Sequence, residues 1–306
     1  MGEHRVITLI ASATEIVTLL GFEAQLVGRS HECDYPASVA PLPVCSSSKV
    51  DVDASSRAID DQVRSIVADG LSVYRVDPEL LNRLAPTLIV TQTQCEVCAV
   101  SLQDVEAAVC ELVTSRPTIV SLEPMSLTDV WADIRAVAAA LEDPEGGDRL
   151  VAMLRRRLAH VGEATRGRGC PSIACIEWVD PLMAAANWVP ELVEFAGGAD
   201  LFGTAGEHSG YLTFERLAAA DPDVIAFMPC GFDIERCRAE LPVLISHSGW
   251  RSLRAVELGR VFVTDGNQFF NRPGPRVVES AEILAELLHP DVADFGHRGT
   301  AWVPLD

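Results

Sequence analysis

Nine cysteines are spread over 306 residues. Four of them, Cys33, Cys95, Cys98 and Cys230, fall in loops predicted to follow strands, with His31 and His208 in loops of the same kind. Thiolates ligate soft metals and act as nucleophiles, so these positions are the first candidates for chemistry. Cys95-Glu96-Val97-Cys98 is a C-x-x-C, but a single one, and a zinc site wants a second pair at finger-like spacing. A redox pair wants its thiols at a helix N-terminus, a placement open to this one. Cys110, Cys170 and Cys175 read as core or strand residues.

Amides and a cation form a second group. Gln92, Gln94, Asn187, Asn267, Asn271 and Arg272 can hydrogen-bond amides or a phosphate. Turn chemistry accounts for loop asparagines equally well, Asn267 after Gly266 above all. Aromatic rings form the third group. They make up only 6% of the chain, yet Tyr35, Trp178, Trp188, Tyr211, Phe232, Phe269 and Phe270 lie in or beside the same loops. Flat rings there suit a large, flat, partly apolar ligand, or else plug the tops of the lobes. Glu177 and Asp180 offer two carboxylates after a strand, more commonly a solvated or capping pair than an acid/base couple. His208, His247, His289 and His297 read as surface histidines. G-x-S-x-G, H-E-x-x-H, a P-loop and G-x-G-x-x-G are all missing, so no catalytic residue is assigned.

The element that organises these loops is Asp143 to Gly167. Asp143 is a good N-cap, Pro144 suits the first helical position and Gly167 a C-terminal stop. Leu150, Leu154, Leu158 and Val161 form one stripe, widened by Val151. Roughly 22 residues at about 1.5 Å each give a rod of about 33 Å. Blocks of short apolar strands alternating with helices lie on either side. The expected fold is therefore α/β, two Rossmann-like lobes with parallel sheets joined by one long helix. A single sheet with one crossover helix is the alternative. The expected divisions are residues 1–125, 126–167 and 168–306.

Strands are expected at Val6–Ile10, Leu26–Gly28, Val73–Val76, Thr87–Thr91 and Thr118–Leu122 in the first lobe. Those of the second are Ser172–Glu177, Val224–Met228 and Val261–Thr264. Ser12-Ala13-Thr14-Glu15 has the pattern of a capping box opening a helix. Pro41 to Ser56 reads as irregular, a further helix as running through Leu112, and residues 289–306 as a tail. Leu84-Ala85-Pro86-Thr87-Leu88-Ile89 and Ala220-Asp221-Pro222-Asp223-Val224-Ile225 repeat one phrase, a helix end, a proline and a buried strand. Parallel sheets bind ligands beyond the carboxyl ends of their strands, and two lobes can turn those ends toward one cleft.

The net charge of −20 argues against nucleic acid and anionic membrane surfaces. No run approaches the roughly 18 apolar residues of a membrane span. The first strand is too short for a signal-peptide core, so the expected compartment is the cytoplasm, where cysteines stay reduced.

Several phrases together resemble the cobalamin-binding proteins of the helical-backbone class of periplasmic substrate-binding proteins. They are Ile10-Ala11-Ser12-Ala13-Thr14-Glu15, Val27-Gly28-Arg29-Ser30, Cys33-Asp34-Tyr35-Pro36, Glu194-Phe195-Ala196-Gly197-Gly198 and Gly259-Arg260-Val261. Cys95 to Ser101, Ile176-Glu177-Trp178, Asn187 to Leu192, Asp265-Gly266-Asn267 and Phe270 to Pro275 resemble a signal-less subgroup. The resemblance covers nearly the whole chain. It implies a non-catalytic, intracellular binder of cobalamin (vitamin B12) or a related corrinoid. Exported relatives present an acid from each lobe to an ABC transporter; Glu96 fits the first, but Ala186-Asn187 is not acidic, which argues against docking.

The expected ligand-binding set joins these lines: Ser12, Thr14, Cys33, Tyr35, Gln92, Gln94, Cys95, Cys98, Glu177, Trp178, Asn187, Trp188, His208, Cys230, Phe232, Asn267, Phe269, Phe270, Asn271 and Arg272. Tyr35, Trp178, Trp188 and Phe270 would lie against the ligand's faces, and Gln92, Asn187 and Arg272 would meet its periphery. No protein metal ligand is assigned. The competing expectation is a soft-metal or metal-chelate handling protein, or a thiol-dependent enzyme, built on the loop cysteines.

Overall fold

A computed structural model describes residues 4–68, 73–92, 115–291 and 293–305. The chain divides into two units. Met1–Ala54, Ala58–Pro124 and Thr128–Met153 make the first; Ser55–Arg57, Met125–Leu127 and Leu154–Asp306 make the second.

In the first unit, short runs of Val, Ile and Leu form a fully parallel sheet. Its strands are β1 (Val6–Thr8), β2 (Leu26–Arg29), β5 (Leu88–Gln92) and β6 (Thr118–Leu122), in the order β2-β1-β5-β6. Sheets covered on both faces need such continuous apolar strands. Ile7 and Ile89 pack with Leu9, Cys45, Val73, Tyr74, Val76 and Leu81 in the core. Burial pushes the Cys45 thiol up to about 12, so it stays a neutral core filler. The stretch expected to be irregular contains β3 (Ser46–Ser48), antiparallel to β4 (Tyr74–Val76). Three serines carry no strand signal; the pairing comes from the partner strand. Helix α1 (Ala11–Leu19) does not start at a capping box. Its N-cap is Ile10, without a side-chain cap, and Ser12 and Thr14 lie inside the helix. Among the described residues before the long helix, the remaining α-helices are α2 (Ser56–Ala68), α3 (Pro78–Leu84) and α4 (Leu127–Ala140). Asp77 caps α3 by accepting from Leu80 N at 2.9 Å.

Helix α5 (Pro144–Ala164) is the expected rod. Asp143 Oδ1 accepts from Gly146 N at 2.9 Å, and Gly167 follows its end at φ +78°. Leu150, Val151, Leu154, Leu158 and Val161 are all buried. The helix belongs to the first unit up to Met153 and to the second from Leu154.

The second unit has a mixed sheet rather than a purely parallel one. β7 (Ser172–Trp178), β11 (Val224–Phe227) and β12 (Val261–Thr264) are parallel, and β9 (Ala199–Asp200) adds to β7 in parallel. β8 (Met183–Ala184), β10 (Gly210–Tyr211) and β13 (Trp302–Pro304) run antiparallel at the edges. The helices are α6 (Val189–Phe195), α7 (Phe214–Ala220), α8 (Ile234–Glu240), α9 (Pro242–Ile245), α10 (Arg254–Glu257) and α11 (Val277–Leu288). The repeated phrase has a structural basis. α3 and α7 each end on a left-handed residue, Ala85 and Asp221, both at φ +44°, before the proline that leads into β5 or β11.

The expected tail is instead part of the core. Trp302 is buried, and β13 pairs with β12. Glu286 of α11 fastens it, accepting from Phe295 N at 2.6 Å, from His297 N at 3.1 Å and from Trp302 Nε1. One turn earlier Glu282 takes His297 Nε2 at 2.9 Å and Arg157 of α5 at 2.9 Å, while Arg157 also reaches Glu279 at 3.1 Å.

Candidate functional site

The second unit gathers most of the candidates at the carboxyl ends of β7, β11 and β12. Gly266 allows two of these loops to meet. A Cβ there would stand 2.1 Å from Pro229 O, so no other residue fits without moving backbone. Asn271 completes the join, its Nδ2 donating to Met228 O and to Gly266 O, each at 2.9 Å. Asp265 turns the chain after β12 by accepting from Asn267 N (3.1 Å) and Gln268 N (2.8 Å). Arg272 Nη2 donates to Asn267 Oδ1 at 3.1 Å. Phe269 is partly exposed, with the Arg276 guanidinium 5.4 Å over its ring.

At the end of β7, Trp178 packs on Phe232 with ring centroids 5.1 Å apart, and Arg236 lies 4.9 Å over the other aromatic ring. The Trp178 indole donates to Ser56 O at 3.2 Å. Arg57 pairs with Asp180, and Ser56 donates to Glu240 Oε2 through Oγ at 2.8 Å and N at 3.0 Å. Glu177 accepts from Ser209 Oγ at 2.6 Å, and Ser209 Oγ accepts from Ala186 N at 3.1 Å. Ser209 thus sets the orientation of Glu177, a role invisible in the sequence, where a serine beside Gly210 reads as a turn. Asn187 sits at φ +54°, its Nδ2 pointing to Met125 Sδ at 3.4 Å. His208 and Cys230 are exposed in their loops.

Three aromatic expectations need correction. Trp188 and Phe270 do not lie open to a ligand. Both are buried; the Trp188 indole donates to Phe270 O at 2.9 Å and Phe270 N donates to Ser280 Oγ at 3.0 Å. They hold the loop shut from inside, Phe270 at φ +65°. Phe232 is buried as well, which leaves Trp178 as the partly exposed ring of its pair.

In the first unit Ser12, Thr14 and Cys33 are likewise corrected. All three are buried; Thr14 Oγ1 shares a 2.7 Å bond with Thr8 Oγ1, and Cys33 Sγ faces Thr8 O at 3.9 Å. They brace the end of β1. Gln92 is buried at the end of β5, and Tyr35 is 45% exposed. His31, one of the first candidates for chemistry, has Nδ1 2.8 Å from Ser46 Oγ, and Tyr74 donates to Glu32 Oε1 at 2.8 Å. Gln94, Cys95 and Cys98 lie outside the described residues. Among the described residues, no three His, Cys, Asp or Glu side chains are grouped to hold a metal ion.

Burial pushes the Glu177 carboxyl up to about 7, against the pull of the Ser209 hydrogen bond. An unfolded glutamate titrates near about 4.3. The folded state therefore binds this proton more tightly, so the cost of ionising Glu177 is absent below that value. It grows as pH rises and is complete once pH passes the folded value. Glu177→Gln should raise the melting temperature relative to the parent protein at about pH 8 and leave the difference near zero at about pH 4. A difference that does not change with pH would refute this account.

A family model described as periplasmic binding protein matches residues 6–267. The chain belongs to the periplasmic binding protein family. Among curated proteins there is no significant match. The periplasmic heme-binding protein RhuT from Roseiflexus sp. RS-1 is 22% identical, with a TM-score of 0.69 over 96% of this chain and 100% of that one. A periplasmic heme-binding protein from Pseudomonas aeruginosa is 19% identical, with a TM-score of 0.69 over 94% of each chain. The periplasmic vitamin B12 binding protein BtuF of Vibrio cholerae is 20% identical, with a TM-score of 0.63 over 93% of this chain and 96% of that one. At these identities the likeness bears on the fold, which is the α/β fold of the helical-backbone members of the family. The carboxyl-end loops are where ligands of such α/β sheets bind.

Proposed function

We propose that this periplasmic binding protein family member is a non-catalytic binder of a large, flat metal macrocycle, and that the ligand is cobalamin or a related corrinoid. The observation that carries the reading is the carboxyl end of the second unit's sheet. There the partly exposed Trp178 ring, backed by Phe232, ends β7 after Glu177, with Asn187 and Asn271 in neighbouring loops. An aromatic face rimmed by amides and a carboxylate suits a flat ligand whose periphery is neutral amides. A heme, with two carboxylates on its edge, would meet a less favourable field from a chain of net charge −20.

The cytoplasm remains the proposed compartment. The expectation against transporter docking has no support from the comparisons, and Glu96 lies outside the described residues.

Cobalamin, cobinamide and hemin titrated into the purified protein test the reading. A corrinoid should shift its own visible spectrum and raise the melting temperature, as any ligand selective for the native state does. Trp178→Ala should weaken binding by about tenfold or more, the effect of removing a central aromatic contact. Stabilisation by hemin alone would replace the corrinoid, and no response to any of the three would end the proposal.

A further inference from the structure

A different chemistry occupies the other end of the second unit's sheet. Arg260 immediately precedes β12, Arg168 and Gly169 lie between α5 and β7, and His289 closes α11. All sit at the amino ends of parallel strands, away from the loops described above. With Leu288, Pro290 and Asp291 they line an open cavity of about 430 Å³. Two guanidinium groups and an imidazole against one carboxylate run counter to a chain of net charge −20.

The cations are held in place. Arg260 Nη2 donates to Leu287 O at 3.2 Å and Leu288 O at 2.9 Å, the last carbonyls of α11, where a helix favours positive charge. Its Nε and Nη1 make no hydrogen bond among the described residues. His289 Nε2 lies 3.2 Å from Gly197 O. A ring donating there leaves Nδ1 as the nitrogen that gains a proton on ionisation. The charged groups around the ring are Arg168 and Arg260 from the elements packed against it and Asp291 from its own segment. Burial first, then the Arg260 and Arg168 charges, hold His289 below the ordinary imidazole range. Arg260 also feels Asp223, which is itself paired with Arg254 at 3.1 Å, so the lining sets two guanidinium groups and an imidazole against the carboxylate of Asp291.

We propose that this cavity binds a doubly charged oxyanion of the phosphate class, with Arg168, Arg260 and protonated His289 as its donors. Guanidinium groups match the oxygen geometry of phosphate and sulfate. The volume exceeds the needs of a bare ion and leaves room for the substituent of a phosphomonoester. An anion placed between the arginines offsets their charge and favours the protonated ring of His289, so binding takes up a proton and tightens as pH falls.

Sulfate, which stays dianionic, is the probe for the full chain at constant ionic strength, with chloride as control. Saturable binding about tenfold tighter at pH 6 than at pH 8 is expected, with the His289 imidazole resonance titrating at higher pH when sulfate is present. Arg168 is exposed, so Arg168→Glu should fold normally yet bind sulfate at least about tenfold more weakly. Arg260→Lys, which keeps a charge beside the α11 carbonyls, should weaken binding too. Inorganic phosphate and glycerol phosphate then separate the sources: tighter binding of the ester assigns an esterified ligand, and equal binding assigns the free anion. An equal effect of chloride, unchanged sulfate affinity in Arg168→Glu, or a His289 titration indifferent to sulfate would each overturn the proposal.

Discussion

Phe270→Ala is expected to lower the stability of the protein by about 3–5 kcal/mol, the range for truncating a buried phenylalanine. The ring is among the largest fully buried side chains, so its loss leaves a cavity. The backbone of the same residue receives the Trp188 indole on its carbonyl and gives its N–H to Ser280. Alanine keeps those groups but has no ring to hold them at φ +65°, a region that costs any residue with a Cβ. Denaturant unfolding followed by tryptophan fluorescence measures the effect. The contrast is Trp178→Ala, which should reduce ligand affinity at a much smaller cost in stability. A Phe270→Ala protein as stable as the parent would show that the loop between Asp265 and Pro275 is not pinned from inside.

Glu286→Ala should cost a similar amount, about 3–5 kcal/mol. Its carboxylate meets two backbone N–H groups and one indole N–H. Leaving a buried donor unmet costs about 1–3 kcal/mol, with bonds to a charged acceptor at the upper end. Glu286→Gln keeps one acceptor oxygen and should lose less than the alanine variant. Hydrogen exchange at Trp302 and its neighbours in β13 should accelerate in both, since that strand depends on the carboxylate for its approach to β12. Protection unchanged in β13 would separate the tail from α11 and refute the coupling.

These two side chains also mark where the sequence could and could not be read. The parallel strands were legible because each is a run of Val, Ile and Leu too short for a helix and bounded by proline or glycine. The long helix was legible from its cap and its stripe. The repeated proline phrase was legible because both copies need the same left-handed helix end. The tail strand was not: Trp302-Val303-Pro304 has no alternation long enough to register, and what recruits it is Glu286, sixteen residues earlier. Ser46–Ser48 failed for the same reason, its strand character belonging to its partner. At the candidate site, residue type placed aromatic and amide groups at the carboxyl ends of the strands. It could not tell Trp178, whose ring is partly open, from Trp188, whose ring is enclosed. Trp178 ends one strand and Trp188 follows another within a few residues, and packing is what separates them. Ser12 and Thr14 misled because a sequence that matches a capping box can equally continue a helix already begun at Ala11.

The membership of Ser55–Arg57 has a practical result for dissecting the protein. The polypeptide passes from one unit to the other near residues 54–58, again near 124–128 and finally at 153–154, so no single cut releases either unit whole. A fragment starting at Leu154 would lack the hydroxyl and amide that meet Glu240, the guanidinium that meets Asp180 and the carbonyl that receives the Trp178 indole. Truncation would thus strip partners from the very ring proposed to meet the ligand, and binding studies on half-molecules would report the injury rather than the site.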